Sequence, residues 1–150
     1  MQLYLMRHGD ATYGVSDASR ELSILGQKQL SLTANKHCAE LADVQIVLTS
    51  NLTRAIQSAD ILMAEAALTC PSQIVDFLLP QAQVTSVERY LQSTAYQSII
   101  MVGHLPLLGM LIDYFTGSTG ASLGTASLAS LSLEYPAQGL ATLNWIYYAP

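Results

Sequence analysis

The chain has 150 residues, a length that fits one domain and can bury a core without disulfides or metals. Its net charge of −5, from six basic and eleven acidic residues, argues against nucleic-acid binding through a basic surface. Although 51% of the residues are apolar, no apolar run is long enough for a membrane span, and the first run is too short for a signal peptide.

Apolar and β-branched runs alternate with helix signals along the chain, and Gly and Pro separate them. In chain order, we expect a strand at 2–6, a helix capped by Ser23 to about Leu41, a strand at 45–49, a helix capped by Ser50 to about Ala67, a short strand at 74–75 and a helix at 84–92. A strand at 98–102 follows, then a helix from near Pro106 to about Phe115 that Gly117 terminates, and paired strands at 126–134 and 140–148. This alternation predicts a three-layer α/β/α fold in a single domain, residues 1–150. Its central sheet is mostly parallel, with an antiparallel C-terminal pair.

Basic side chains follow three of the predicted strands, where each strand ends. The first strand ends in Arg7-His8-Gly9, the second precedes Arg54 by a few residues, and the fourth ends in Gly103-His104. Because ligands bind at the carboxyl ends of strands in such sheets, we expect these side chains to converge. Arginine matches the oxygens of a phosphoryl group, and a neutral histidine can attack phosphorus. The sequence therefore predicts phosphoryl transfer with His8 as nucleophile, and Arg7, Arg54 and His104 around the phosphoryl group.

Other histidine, cysteine and lysine side chains carry no such pattern. His37 lies in the middle of a predicted helix beside Lys36, and we interpret it as polar surface. Cys38 and Cys70 lack metal-ligand spacing, which favours reduced packing residues in a cytoplasmic protein. No metal or cofactor is expected, since the arginines supply the positive charge.

Four segments, in this order along the chain, resemble the motifs of the histidine phosphatase superfamily, the phosphoglycerate mutase-like proteins. They are Leu5-Met6-Arg7-His8-Gly9, Leu22-Ser23-Ile24-Leu25-Gly26, the segment from Ser50 through Arg54-Ala55 to Ser58-Ala59, and Val102-Gly103-His104. Within that superfamily the chain is most similar to the short SixA-type phosphohistidine phosphatases. Their features include Arg20 ahead of Leu22-Ser23 and the run Gly103-His104-Leu105-Pro106.

The resemblance implies a metal-independent phosphatase in which His8 becomes phosphorylated while Arg7, Arg54 and His104 bind the phosphoryl group. Arg20 is a further candidate for phosphate binding, with a surface role as the alternative. The implied substrate is phosphohistidine on a phosphorelay protein, such as a histidine-containing phosphotransfer domain. We expect a monomer in the cytoplasm that binds neither nucleic acid nor membrane.

Larger relatives carry an acidic proton donor after the third strand, where this chain has only Asp76. Asp76 is thus the candidate donor, or else a surface carboxylate. A site for phosphohistidine could dispense with a dedicated acid, because solvent can protonate the second nitrogen of the leaving imidazole. Two alternatives stay open: a phosphatase for small phosphomonoesters, and a phosphate- or protein-binding module without turnover.

Overall fold

A six-stranded sheet of mostly apolar strands forms the centre of the fold. The computed structural model describes residues 1–150. The strands are β1 (Gln2–Arg7), β2 (Ile46–Thr49), β3 (Ser72–Ile74), β4 (Ser98–Gly103), β5 (Leu128–Leu133) and β6 (Ala141–Tyr147). Their order is β3-β2-β4-β1-β5-β6, with the first four parallel and the last two antiparallel. Strands β2 and β4 are buried on both faces, as expected inside a parallel sheet.

Helices cover both faces of this sheet. They are α1 (Ile24–Leu41), α2 (Thr53–Glu65), α3 (Val84–Ser93) and α4 (Leu107–Thr116), with single 3₁₀ turns at Asp17–Ser19 and Asp76–Leu78. Alternate residues of β1 belong to two cores: Tyr4 and Met6 pack with α1 and α2, whereas Leu3 and Leu5 pack with α3 and α4. The predicted three-layer α/β/α fold is therefore confirmed. None of the helices has the length and hydropathy that a membrane crossing requires.

Most element ends agree with the sequence to within two residues, and local chemistry explains them. Ser23 caps α1, since its side chain accepts a hydrogen bond from the amide of Gly26. Gly117 ends α4 in the left-handed conformation, with φ of 71°. Strand β5 begins two residues later than predicted, because Ala126 adopts a φ of 56° and donates its amide to the carbonyl of His8.

The interpretation of His37 as polar surface is wrong. Its side chain is 7% exposed and stacks on Trp145, with ring centroids 4.5 Å apart. The spacing of Leu30, Ala34, His37 and Leu41 places all four on one face of α1, which packs on the sheet. The helical periodicity of α1 therefore predicts the burial of His37, whereas its neighbour Lys36 does not.

The two cysteines are unpaired, as expected, but Cys38 is not a packing residue. Its side chain is exposed on α1, whereas Cys70 is partly buried. Position 38 follows the buried His37 directly, so the helix turns it towards solvent.

The first turn of α1 packs against the backbone that follows His8. Gly26 is buried, and a Cβ there would overlap the carbonyl oxygen of Asp10 and lie 2.8 Å from its amide nitrogen. That carbonyl also accepts a hydrogen bond from the amide of Ser23, at 2.9 Å. The helix can approach the loop this closely only with glycine at position 26.

Replacing Gly26 with alanine should lower the free energy of unfolding by about 1–3 kcal/mol, the usual cost of overpacking. The clash opposes the gain in helix propensity of about 1 kcal/mol that alanine brings. Urea titration measures the difference, and Lys28→Ala, an exposed change in the same helix, is the control. A stabilised Gly26→Ala variant would contradict this packing.

Candidate active site

Three parallel strands deliver the predicted site residues to one edge of the sheet. Strand β4 lies between β1 and β2, and Arg7 is aligned with Gly103 across the β1–β4 pair. His8 and His104 thus follow adjacent strands at the same level, and their ring centroids are 5.0 Å apart. Arg54 reaches His8 from the first turn of α2. The structure brings His8, His104 and Arg54 together, as the strand-end pattern predicts.

The contacts of His8 define which ring nitrogen carries the proton. Nδ1 lies 2.7 Å from the carbonyl oxygen of Gly9, which can only accept, so Nδ1 is the protonated nitrogen. Nε2 then keeps its lone pair and accepts a hydrogen bond from Nε of Arg54, at 3.4 Å. The Gly9 amide donates to Oγ of Ser58, which lies one turn beyond Arg54 on α2. The ring therefore presents a fixed, unprotonated Nε2 to the guanidinium.

Two arginines supply the positive charge of the site. Arg54 is buried, and its Nη1 and Nη2 donate to the carbonyl and the carboxylate of Asp17, at 2.8 and 3.2 Å. Arg7 donates from Nη1 to the carbonyl of Leu123, at 2.9 Å, while its buried Nε has no partner. Unpaired donors of this kind can bind oxyanion oxygens.

His104 is held by Ser50. Oγ of Ser50 lies 2.6 Å from Nε2 of His104, and the buried Nδ1 of the same ring has no partner. If the hydroxyl donates to Nε2, the neutral ring carries its proton on Nδ1 and can donate it to an anion. The predicted role of Ser50 as a helix cap is wrong, because α2 starts at Thr53 after Leu52. Its side chain holds the histidine instead.

Both histidines resist protonation. Burial and the charges of Arg54, Arg7 and Arg20 lower the pKa of His8 to about 4, although its hydrogen bond to Gly9 opposes the shift. Burial, His8, Arg54 and Arg7 lower the pKa of His104 to about 3, against the opposing charge of Asp17. Burial and Arg54 also lower the pKa of Arg7. His8 is therefore neutral, as a nucleophile must be, throughout the physiological pH range.

Arg20 lies beside the cluster but does not touch it. It donates from Nε to the carbonyl of Thr12, at 2.8 Å, and its Nη1 lies 3.5 Å from Oδ1 of Asp17. Its contribution at His8 is its charge, which lowers the pKa of that ring. Arg20 thus holds the loop at residues 12–20, with no contact to the histidines.

Asp76 makes no hydrogen bond or ion pair with the histidines and arginines of the cluster. Asp76 is exposed at the start of a 3₁₀ turn and lines a groove of about 550 Å³ between that turn and α3, with Phe77, Arg89 and Tyr90 among its other lining residues. Neither His8 nor His104 lines this groove. The short β3 ends at Ile74, two positions before Asp76, at the far edge of the sheet. The alternative interpretation, a surface carboxylate, describes what the structure shows.

The sequence patterns missed Asp17 and Ser58. Ser58 lies four residues after Arg54, a spacing that places both on one helix face, so periodicity could have found it. Asp17 lies in an irregular polar loop, where no pattern indicated contact with Arg54. No group of three or more His, Cys, Asp or Glu side chains is arranged to hold a metal ion.

The histidine pKa values can be tested by nitrogen NMR of histidine-labelled protein between pH 8 and 4.5. We expect the His8 and His104 rings to stay neutral to about pH 5, with the His8 proton on Nδ1, whereas an unperturbed histidine titrates near pH 6.5. Since both values are depressed in the folded state, their contribution to stability is complete above about pH 6.5 and is lost towards pH 4. Protonation of His8 near pH 6.5 would contradict this geometry.

Ser50→Ala should release the His104 tautomer and weaken phosphate binding by roughly tenfold, the effect of one lost hydrogen bond. Nitrogen NMR reports the tautomer, and titration with inorganic phosphate reports affinity. Ser127→Ala is the matched control, because Ser127 is also fully buried but its hydroxyl has no partner. Equal effects of the two substitutions would show that Ser50 acts only through packing.

Comparison with known proteins identifies the family of this chain. The family model for the histidine phosphatase superfamily (branch 1) matches residues 3–78, which include His8 and Arg54. The phosphohistidine phosphatase SixA of Escherichia coli (strain K12) is 31% identical, over 97% of this chain and 92% of its own.

Solved structures agree with this relationship. A structure of the protein histidine phosphatase SixA complexed with tungstate has a TM-score of 0.91 and 31% identity, covering 99% of this chain and 97% of that one. A mycobacterial glucosyl-3-phosphoglycerate phosphatase, at 16% identity and a TM-score of 0.67 over 99% of both chains, shares the fold. The chain belongs to the histidine phosphatase superfamily.

Proposed function

We propose that this protein is a phosphohistidine phosphatase that acts on a phosphorelay protein, a phosphorylated histidine-containing phosphotransfer domain. The observation that carries this proposal is the state of His8, whose Nδ1 proton is held by Gly9 while Nε2 faces Arg54. The similarity to the E. coli phosphohistidine phosphatase, over nearly the whole of both chains, supports the same substrate class.

In this proposal the reaction passes through a covalent intermediate on His8. Nε2 attacks phosphorus, the phosphorus–nitrogen bond of the substrate breaks, and its electron pair goes to the departing imidazole. Water then attacks phospho-His8, the new phosphorus–nitrogen bond breaks, and phosphate leaves. Arg7, Arg54 and His104 bind the phosphoryl oxygens, on which negative charge is spread during transfer. Arg20 contributes charge from the loop.

An accessible site supports a protein substrate. The loop between β1 and α1 contacts Arg54 through Asp17, and residues 12–19 are all exposed. Tyr13 and Val15 in this loop leave their apolar side chains in solvent, where a protein surface could cover them. The proposal includes action as a monomer in the cytoplasm, an environment that suits the two free cysteines.

A substrate panel tests this function. Purified protein should dephosphorylate a phosphorylated phosphotransfer domain much faster than an alkyl phosphomonoester, because Asp17, the carboxyl group that contacts Arg54, has a lowered pKa and as a carboxylate has no proton to give an alkoxide. His8→Ala should reduce turnover by roughly a thousandfold or more and should take no phosphoryl label. His37→Gln, which changes a histidine outside the site, is the control.

Each alternative function predicts a different result in this panel. Faster turnover of the alkyl phosphomonoester would indicate a phosphatase for small molecules. Binding of phosphate without label on His8 and without turnover would indicate a module that has no enzymatic activity. Near-normal activity of His8→Ala would refute the covalent mechanism itself.

A further inference from the structure

The guanidinium of Arg54 has partners at both of its ends. At one end, Nε donates to Nε2 of His8, at 3.4 Å. At the other end, Nη1 and Nη2 donate to the backbone carbonyl and to Oδ2 of Asp17, at 2.8 and 3.2 Å. Arg54 itself is buried, whereas the side chain of Asp17 is 66% exposed. A nucleophile and an accessible carboxylate therefore lie at opposite ends of one phosphate-binding group.

Phosphoryl transfer proceeds with the attacking and leaving atoms roughly in line across phosphorus. A phosphoryl group that lies along the Arg54 guanidinium has His8 at one end, so its leaving group is directed towards the other end. We propose that Asp17 binds the leaving group, accepting a hydrogen bond from the protonated imidazole of the substrate phosphohistidine. This role rests on the proposed function and makes Asp17 the residue that selects phosphohistidine over phosphomonoesters.

The step balances without a further reactant. The substrate imidazole carries the phosphoryl group on one nitrogen and a proton on the other, and that N–H donates to Asp17. Nε2 of His8 forms its bond to phosphorus while the substrate phosphorus–nitrogen bond breaks. The electron pair returns to the substrate nitrogen, so the ring departs as neutral imidazole and keeps its proton. Asp17 remains a carboxylate throughout.

The surroundings of Asp17 suit an acceptor rather than a proton donor. Partial desolvation opposes the shift, but the ion pairs with Arg54 and Arg20 lower the pKa of the Asp17 carboxyl. His8 and His104 add no positive charge, since both rings are neutral. A carboxylate has about four acceptor sites, so Asp17 can bind an imidazolium while it keeps Arg54.

The loop holds Asp17 in this place independently of any substrate. Ser16 and Ser19 cap the short 3₁₀ turn with reciprocal hydrogen bonds, and Arg20 ties the turn to the carbonyl of Thr12. Arg20 is thus a positioning residue for Asp17, which accounts for its place near the site without contact to the histidines. A negative charge fixed here attracts a cationic leaving group and repels the oxygen of an ester.

Asp17→Asn tests this role, with kcat/KM measured on phosphoimidazole and on p-nitrophenyl phosphate. The change should lower kcat/KM for phosphoimidazole roughly tenfold, as expected for one charge-assisted hydrogen bond. It should raise kcat/KM for p-nitrophenyl phosphate by a few-fold, because Arg54 loses a competing anion and the nitrophenolate needs no proton. Ser19→Ala, which disturbs the capping of the same turn but keeps the charge, should not separate the two substrates.

The pH dependence gives a second readout that a purely structural role would not change. As the pH rises, the single-turnover rate on phosphoimidazole should begin to fall at a lower pH in Asp17→Asn than in the wild type. Without the carboxylate, the bound substrate loses its imidazole proton more easily. Equal changes on both substrates, or an unchanged pH profile, would overturn the role of Asp17 alone. Wild-type protein that hydrolyses only the nitrophenyl ester would overturn the proposed function, and this role with it.

Discussion

The hydrogen bond from Nδ1 of His8 to the carbonyl oxygen of Gly9, 2.7 Å long, is the contact on which the chemistry of the site depends. It keeps the proton on one nitrogen and leaves the lone pair of the other facing Arg54. Gly9 is held from two sides, because its amide donates to Ser58 and its Cα packs so closely on α1 that a Cβ would lie 2.9 Å from both the Gly26 carbonyl and Leu30. Packing of α1 and α2 around Gly9 thus supports the tautomer of His8, the nucleophile that we propose.

Burial supplies both the reactivity of this site and its cost. Desolvation is the largest cause of the low pKa of His8 and of His104, and it is strong because both rings lie at the ends of buried strands. The same burial leaves polar atoms without partners, namely Nε of Arg7 and Nδ1 of His104. Each such atom costs about 1–3 kcal/mol, which the apolar layers on both sides of the sheet must offset. A bound phosphoryl group would satisfy these donors, so the site is built at the expense of stability.

Sequence patterns predicted the parts of this site that the sheet positions. The strand ends at His8 and His104 were visible as apolar runs that stop at a basic residue, and a parallel sheet places both ends at the same edge. Arg54 was predictable because a helix that follows a strand begins at the same edge. The fold was predictable for the same reason, since β4 and β1 are continuous apolar runs whose partners are limited by connection rules.

The predictions for His37 and Ser50 were wrong, and Asp17 was missed, for a different physical reason. Each of these side chains makes a contact with an element distant in the chain. His37 is buried against Trp145 on the last strand. The hydroxyl of Ser50 forms a hydrogen bond with the ring of His104 instead of capping α2. Asp17 reaches Arg54 from a loop whose conformation no periodicity describes. Local propensity gives these side chains a default role, and tertiary packing overrides it. Asp76 is the converse case, in which a plausible position along the chain is not matched by a contact with the histidines or arginines.

The residues of the site come from two kinds of structural element. The residues that we propose to bind the phosphoryl group come from strand ends and a helix start, which the packed sheet holds in place. Asp17 comes from an exposed loop whose backbone is bonded by Arg54, Arg20 and two serines. Loops of this kind tolerate change far better than strands do. In our proposal the sheet edge binds the phosphoryl group and the exposed loop binds the leaving group, so a change in the loop would alter the substrate without altering the nucleophile. On this reasoning the proton of the leaving group, rather than the attack by His8, is what distinguishes a phosphohistidine site from an ester site.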